Sequence, residues 1–236
     1  MNILAELEDF INEFNKNNDV DFAIDTIRIE YSKKHKKTKL DNLGVWKKIN
    51  ANDRNILAKL KKRLTLDEIT TAYQLENYNI YYYNSSTPPK YNKATMVIFA
   101  MKQYHKDPPP RSIIKNILNI LVFGTSKVSV NLDVCLDFPY EPKLKEIKKQ
   151  FDLVPYYFKG YKTNTSYIND PQITMIEKIV IYNKQIKNNL SFIVWRVEAK
   201  IPIPNIRLLA LPLYEFKTEV IDLMKNNQSL NITRGI

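Results

Sequence analysis

The residues of this chain best suited to chemistry lie in KIVIYNKQIKNNLSFIVWRVEAKI, residues 178–201. The stretch reads as two β-strands joined by a polar loop. Side chains alternate across a strand, so Tyr182 and Lys184 share one face, as do Arg196, Glu198 and Lys200. Ile179, Ile181, Trp195 and Val197 fall on the opposite faces and suit a packed core. Upstream, SVNLDVCLDF (129–138) reads as another strand, with Asp133, Cys135 and Asp137 on one face. Two aspartates buried in a sheet without partners would be costly, which makes both candidates for a metal site. A tyrosine, carboxylates and cations on one sheet surface are the ingredients of phosphodiester chemistry.

A tyrosine attacks phosphorus as its phenolate, and the phenol ordinarily ionises near pH 10. An ammonium such as Lys184 and a bound cation both favour the ionised form. Glu198 reads either as an ion-pair partner of Arg196 or as an oxygen ligand for Mg²⁺ or Mn²⁺, hard ions that prefer such donors. Asp133 and Asp137 add further oxygens. Four residues of strand span about 13 Å, so the two aspartates do not readily share one ion. One is then the ligand, and the other holds a lysine or orients the site.

These groups need a folded scaffold, and 236 residues suffice for one large domain or two small ones. Only four glycines are present, and no Gly-rich phosphate loop. A formal charge of +11 points to a polyanionic partner, most commonly nucleic acid. One cysteine excludes an internal disulfide and a Cys-based zinc site, and only His35 and His105 offer imidazole. The acidic start MNILAELEDF is unlike a signal peptide, and no apolar run reaches the roughly 20 residues of a membrane span. The expectation is a soluble cytoplasmic protein without membrane contact.

The first third reads as helical, with Leu4, Leu7, Phe10, Ile11 and Phe14 at helical spacing and a less decisive period from Phe22 to Tyr31. A basic run carries Lys33, Lys34, Lys36 and Lys37, then Lys59, Lys61, Lys62 and Arg63 on a helix capped by Asp53. These eight are the candidate DNA-backbone contacts. Thr65-Leu66-Asp67-Glu68 resembles a capping box and predicts a helix to about Leu75. Strand-like runs follow near 79–83 and 94–99, then a helix over 113–121, the Asp133 strand, and a helix over 142–151. Further strands fall near 156–158, 165–168 and 178–182, then the Glu198 strand and a helix over 214–225. Tyr81, Tyr82 and Tyr83 form a candidate stacking surface for unpaired bases. The order predicts an α+β fold: a mainly antiparallel sheet with packed helices, preceded by a basic helical N-terminal region. The expected division is 1–76 for that region, 77–225 for a nuclease-like sheet domain and 226–236 for a polar tail.

At these residues the chain resembles the rolling-circle replication initiators of small plasmids, the Rep_trans type, and more loosely those of filamentous phages. That family shows R-I-D-x-x-x-D, then T-x-Y-x-G, then R-x-Y-x-K with the nucleophilic tyrosine, then W-x-R-x-E. Here the matching stretches are NLDVCLD (Asp133, Asp137), TSYIN (165–169), IVIYNK (Tyr182, Lys184) and VWRVE (Arg196, Glu198). The match covers about residues 125–201, roughly a third of the chain. Asn131 and Asn169 depart from the family's usual arginine and glycine. No His-hydrophobic-His motif occurs, which speaks against the histidine-based class of nicking enzymes.

The resemblance implies an enzyme that nicks one DNA strand at an origin. Tyr182 would stay joined to the 5′ phosphate, with Lys184 and Arg196 offsetting negative charge. Glu198 with Asp133 or Asp137 would hold Mg²⁺ or Mn²⁺. The implied partners are single-stranded or hairpin DNA at an origin and a host helicase, with a dimer among the oligomeric states to be expected. The competing expectation is a non-catalytic DNA-binding regulator of copy number or transcription on the same scaffold. A third is an interaction protein whose charge is incidental.

Overall fold

A computed structural model describes residues 2–32, 40–50, 52–63, 69–85, 93–104, 107–123, 128–203 and 206–225. Helix α1 (Ile3–Asn18) buries Leu4, Leu7, Ile11 and Phe14, the stripe its spacing predicts. The chain then forms β1 (Ala23–Ser32), β2 (Trp46–Lys48), helix α2 (Arg54–Arg63), β3 (Ile69–Leu75), β4 (Ile80–Ser85) and β5 (Lys93–Ile98). Helix α3 (Arg111–Phe123) and the long strand β6 (Val128–Phe138) follow. After them come α4 (Leu144–Gln150), β7 (Val154–Phe158), β8 (Tyr161–Asn169), β9 (Lys178–Asn183), α5 (Lys184–Asn188) and β10 (Trp195–Ile203). A helical stretch over 206–224 closes the described chain, with a π-helical segment at Phe216–Ile221. Among the described residues, no helix is long and apolar enough to cross a membrane.

The fold is α+β, built on antiparallel strands. Contacts divide the chain into two compact units: residues 1–11 with 24–132, and residues 12–23 with 133–236. In the first, strands run in the order β2-β3-β4-β5-β1, each neighbouring pair antiparallel. Ala72, Tyr81, Tyr83 and Val97 share one face of that sheet and pack with Leu60, Ile56 and Leu57 of α2. The apolar stripe of α2 is therefore what holds its lysine-rich sequence to the sheet.

Two segments read as helical are strands instead. Residues 23–32 form β1, whose Ile27 and Ile29 are fully buried and whose residues 27–32 pair with β5. The predicted helix to Leu75 is β3 over 69–75. There the β-branched Ile69, Thr70 and Thr71 and the aromatic Tyr73 favour an extended chain, and pairing with β4 overrides the capping-box pattern. The N-terminal helix is present, and the same region also supplies β1, β2 and β3.

In the second unit, β10, β9, β8 and β7 are successive antiparallel neighbours, with β6 beside β10. Its apolar packing includes a stack of Phe14, Phe22 and Phe216, with ring centroids 6.1 Å and 5.3 Å apart. Asn15 holds Phe22 in place, accepting from its backbone N–H (3.0 Å) and donating to its carbonyl (2.8 Å). Phe216 is wholly buried at one end of this stack. Phe216→Ala is expected to lower the stability of this unit by about 3–5 kcal/mol in chemical denaturation, through lost burial and the cavity left behind.

Candidate active site

Strand register sets the site. Thr165 of β8 lies opposite Tyr182 of β9, which lies opposite Arg196 of β10. Two residues along, Tyr167, Val180 and Glu198 form the next row. Directly opposed residues point to the same side of a sheet, as do residues two apart on one strand. Thr165, Tyr167, Tyr182, Arg196 and Glu198 therefore share one face.

On that face the Tyr182 hydroxyl donates to Glu198 Oε1 at 2.6 Å, a short, charge-assisted bond. Arg196 has no solvent exposure and grips Asp137 of β6 with two prongs. Its Nε donates to Oδ1 at 2.5 Å and its Nη2 to Oδ2 at 2.6 Å. Its Nη1 also lies 3.9 Å from Glu198 Oε1. One guanidinium thus lies beside both carboxylates, one of which accepts the tyrosine hydrogen bond. Tyr182 itself is only 5% exposed.

Lys184 does not continue the strand. The chain leaves β9 at Asn183, whose side chain accepts from Ile186 N–H at 2.9 Å and so caps α5. Lys184 is the first residue of that helix and is buried. The backbone N–H groups of Lys184 and Gln185 both donate to the Val194 carbonyl, at 2.8 and 3.1 Å, which ties α5 to the approach to β10. The helical turn brings Lys187 over the Tyr182 ring, 4.0 Å from its centroid, a cation–π placement. Lys187 was not among the sequence candidates. Its signal was Asn183, a good N-cap residue where an unbroken strand and polar loop were expected.

Of the three candidate metal ligands, Asp137 gives both oxygens to Arg196, while Asp133 is half-buried two turns of the alternation away on β6. Among the described residues, no group of three or more His, Cys, Asp or Glu is gathered to hold a metal ion. The donors are all oxygen, which suits Mg²⁺ or Mn²⁺. Mg²⁺ is commonly held by one or two carboxylates together with substrate phosphate.

The tyrosine run splits between two faces. Tyr81 and Tyr83 are buried, and burial pushes the Tyr81 phenol up. Tyr82 is half-buried on the other face, where it stacks on Tyr73 at 5.6 Å and meets Trp46 edge-on at 6.3 Å. Lys59, Lys61, Lys62 and Arg63 ride on α2. Lys33, Lys34, Lys36, Lys37, His35, His105 and the 226–236 tail lie outside the described residues.

No protein-family model matches the chain, and no curated protein matches it. It is similar to one solved structure, a rolling circle replication initiator protein from Geobacillus stearothermophilus, over 80% of this chain and 77% of that one. The TM-score is 0.43 and the sequence identity 11%. A likeness of that depth decides nothing about chemistry, which rests on the side chains.

Removing one partner of the buried pair leaves the other charge uncompensated. Asp137→Leu is expected to cost about 3–5 kcal/mol, whereas combining it with Arg196→Met recovers most of that loss. A double-mutant cycle of denaturation free energies checks it.

Proposed function

We propose that the chain cleaves one strand of DNA through a covalent phosphotyrosine on Tyr182 and so starts rolling-circle replication. The observation that carries this reading is the Tyr182–Glu198 hydrogen bond beside the buried Arg196. A phenol in contact with a carboxylate has an acceptor in place for its proton. As the phenolic oxygen bonds to phosphorus, Glu198 takes that proton, the P–O3′ bond breaks, and the leaving 3′ oxygen takes a proton from solvent. The 5′ phosphate remains on Tyr182. Arg196 and Lys187 supply positive charge near the oxygen and ring as negative charge develops. Lys184, buried at the start of α5, adds a third cation.

Asp137 positions Arg196, which leaves Asp133 and Glu198 as the residues to hold Mg²⁺ or Mn²⁺. When bound, that ion would polarise the scissile phosphate as a Lewis acid. The basic side chains at Lys33, Lys34, Lys36, Lys37, Lys59, Lys61, Lys62 and Arg63 would track the phosphate backbone. Single-stranded or hairpin origin DNA is the proposed substrate, with a host helicase downstream.

One observation favours a second reading. Tyr182 is nearly enclosed and Arg196 fully so, as in a polar network that only stabilises a sheet. The chain would then bind DNA as a non-catalytic regulator of copy number or transcription. The two readings separate on a denaturing gel after incubation with labelled single-stranded DNA from the chain's own replicon and Mn²⁺. The catalytic reading expects a covalent adduct that disappears with chelator and with Tyr182→Phe, a variant that keeps DNA affinity. DNA retained at moderate salt without any adduct would decide for the regulator.

A further inference from the structure

Strands β7 and β8 form a hairpin whose tip is unlike the rest of the second unit. Phe158 pairs with Tyr161 across a two-residue turn, Lys159-Gly160, and both turn residues have positive φ, 50° and 84°. That is the type I′ geometry that matches the twist of paired strands. Glycine is required at residue 160 by its backbone and not by crowding, since an added Cβ would meet nothing within 4 Å. The turn therefore projects a stiff tip into solvent.

The tip displays large aromatic side chains where none is needed for packing. Tyr157, Phe158 and Tyr161 are 56%, 57% and 79% exposed. Grouped exposed aromatics mark contact surfaces. Two lysines accompany them, Lys159 and Lys162, with Lys159 Nζ 5.6 Å from the Phe158 ring centroid. From Leu153 through Asn169 there is no acidic residue. Exposed rings with cations and no carboxylate complement a strand of unpaired bases on a phosphate backbone.

Register places part of the tip relative to Tyr182. Thr165 opposes Tyr182 and Tyr167 shares its face. Strand β8 carries a register shift before Ser166, so the face is followed along β7. There Val154 pairs with Tyr167, Tyr156 meets the Tyr167 ring at 5.8 Å, and Phe158 lies two residues further on. Tyr161, paired with Phe158, shares that face. Four residues of strand span about 13 Å. We propose that Phe158 and Tyr161 stack an unpaired base of single-stranded DNA a few nucleotides from the phosphate presented to Tyr182, with Lys159 on the adjoining backbone. The choice of ligand rests on the function proposed above, whereas the stacking surface is independent of the cleavage chemistry.

The test is fluorescence anisotropy with the full chain and a labelled single-stranded oligonucleotide. Comparison probes are an abasic strand of equal length and a blunt duplex. Phe158→Ala and Tyr161→Ala replace exposed side chains and should melt like the parent. Each is expected to weaken binding of the ordinary strand by about 5- to 100-fold, with no change on the abasic strand or the duplex. Equal losses on all probes, or none, would overturn the proposal. So would altered self-association in sedimentation with unchanged DNA affinity, because a second copy would then cover the tip. A covalent adduct with unaltered binding by both variants sinks this inference and leaves the cleavage reading standing. Selective loss of affinity without any adduct does the reverse.

Discussion

Arg196 carries a full charge in a place that excludes water, and the geometry around Tyr182 follows from how that charge is satisfied. Moving a guanidinium out of water costs several kcal/mol even after the protein relaxes. The offsetting partner has to be close and well aligned, and the two-pronged grip on Asp137 supplies both. A planar guanidinium tolerates little rotation in such a pair. Its remaining nitrogen is consequently aimed, and it lies near the carboxylate oxygen that accepts the Tyr182 hydroxyl. The tyrosine is oriented through a chain of contacts anchored by a charge that cannot move without losing its partner.

That arrangement also divides the labour among three carboxylates that looked alike in sequence. Asp137 is committed to Arg196. Glu198 faces both the guanidinium and the phenol. Asp133 sits further along β6 and is half-buried. The cations divide in the same way. Arg196 fixes geometry from within the sheet, and Lys187 reaches the tyrosine ring from a separate helix. A lysine on a short helix can rearrange more readily than an arginine locked between strands.

Alternation exposed the strands that carry the site because each has apolar residues on one face and functional groups on the other. Asp133 and Asp137, Tyr182, and Arg196 and Glu198 could all be placed on faces in this way. The Arg196–Asp137 pair could not, because it joins residues 59 apart through strand order that local pattern does not encode. At β3 the T-x-x-E pattern pointed to a helix, while the β-branched residues just after it follow the demand of β4 for a partner. At Asn183 the opposite happened, and a capping residue ended a strand that alternation would have carried through Lys184. The exposure of Tyr161 was equally invisible, since an aromatic in a strand more often faces a core.

Both faces of β10 are buried over Trp195–Ala199, and this constrains any chemistry at Tyr182. Burial excludes water and strengthens each electrostatic contact, and it disfavours a bare phenolate, so the Glu198 contact matters more. On the proposed function, it would also keep a phosphodiester away until something over the ring gives way. Helix α5 is the element best placed to do so. It is five residues long, a side-chain cap and paired N–H contacts to Val194 are among its ties, and its Lys187 lies over the ring. Exchanging the contact of Lys187 with the ring for one with phosphate would withdraw the cover and move a positive charge onto the substrate together. Encounter and reaction would then occur at different depths of one sheet face: bases would meet the exposed rings at the hairpin tip, and the phosphate would enter only where its own charge could draw Lys187 aside.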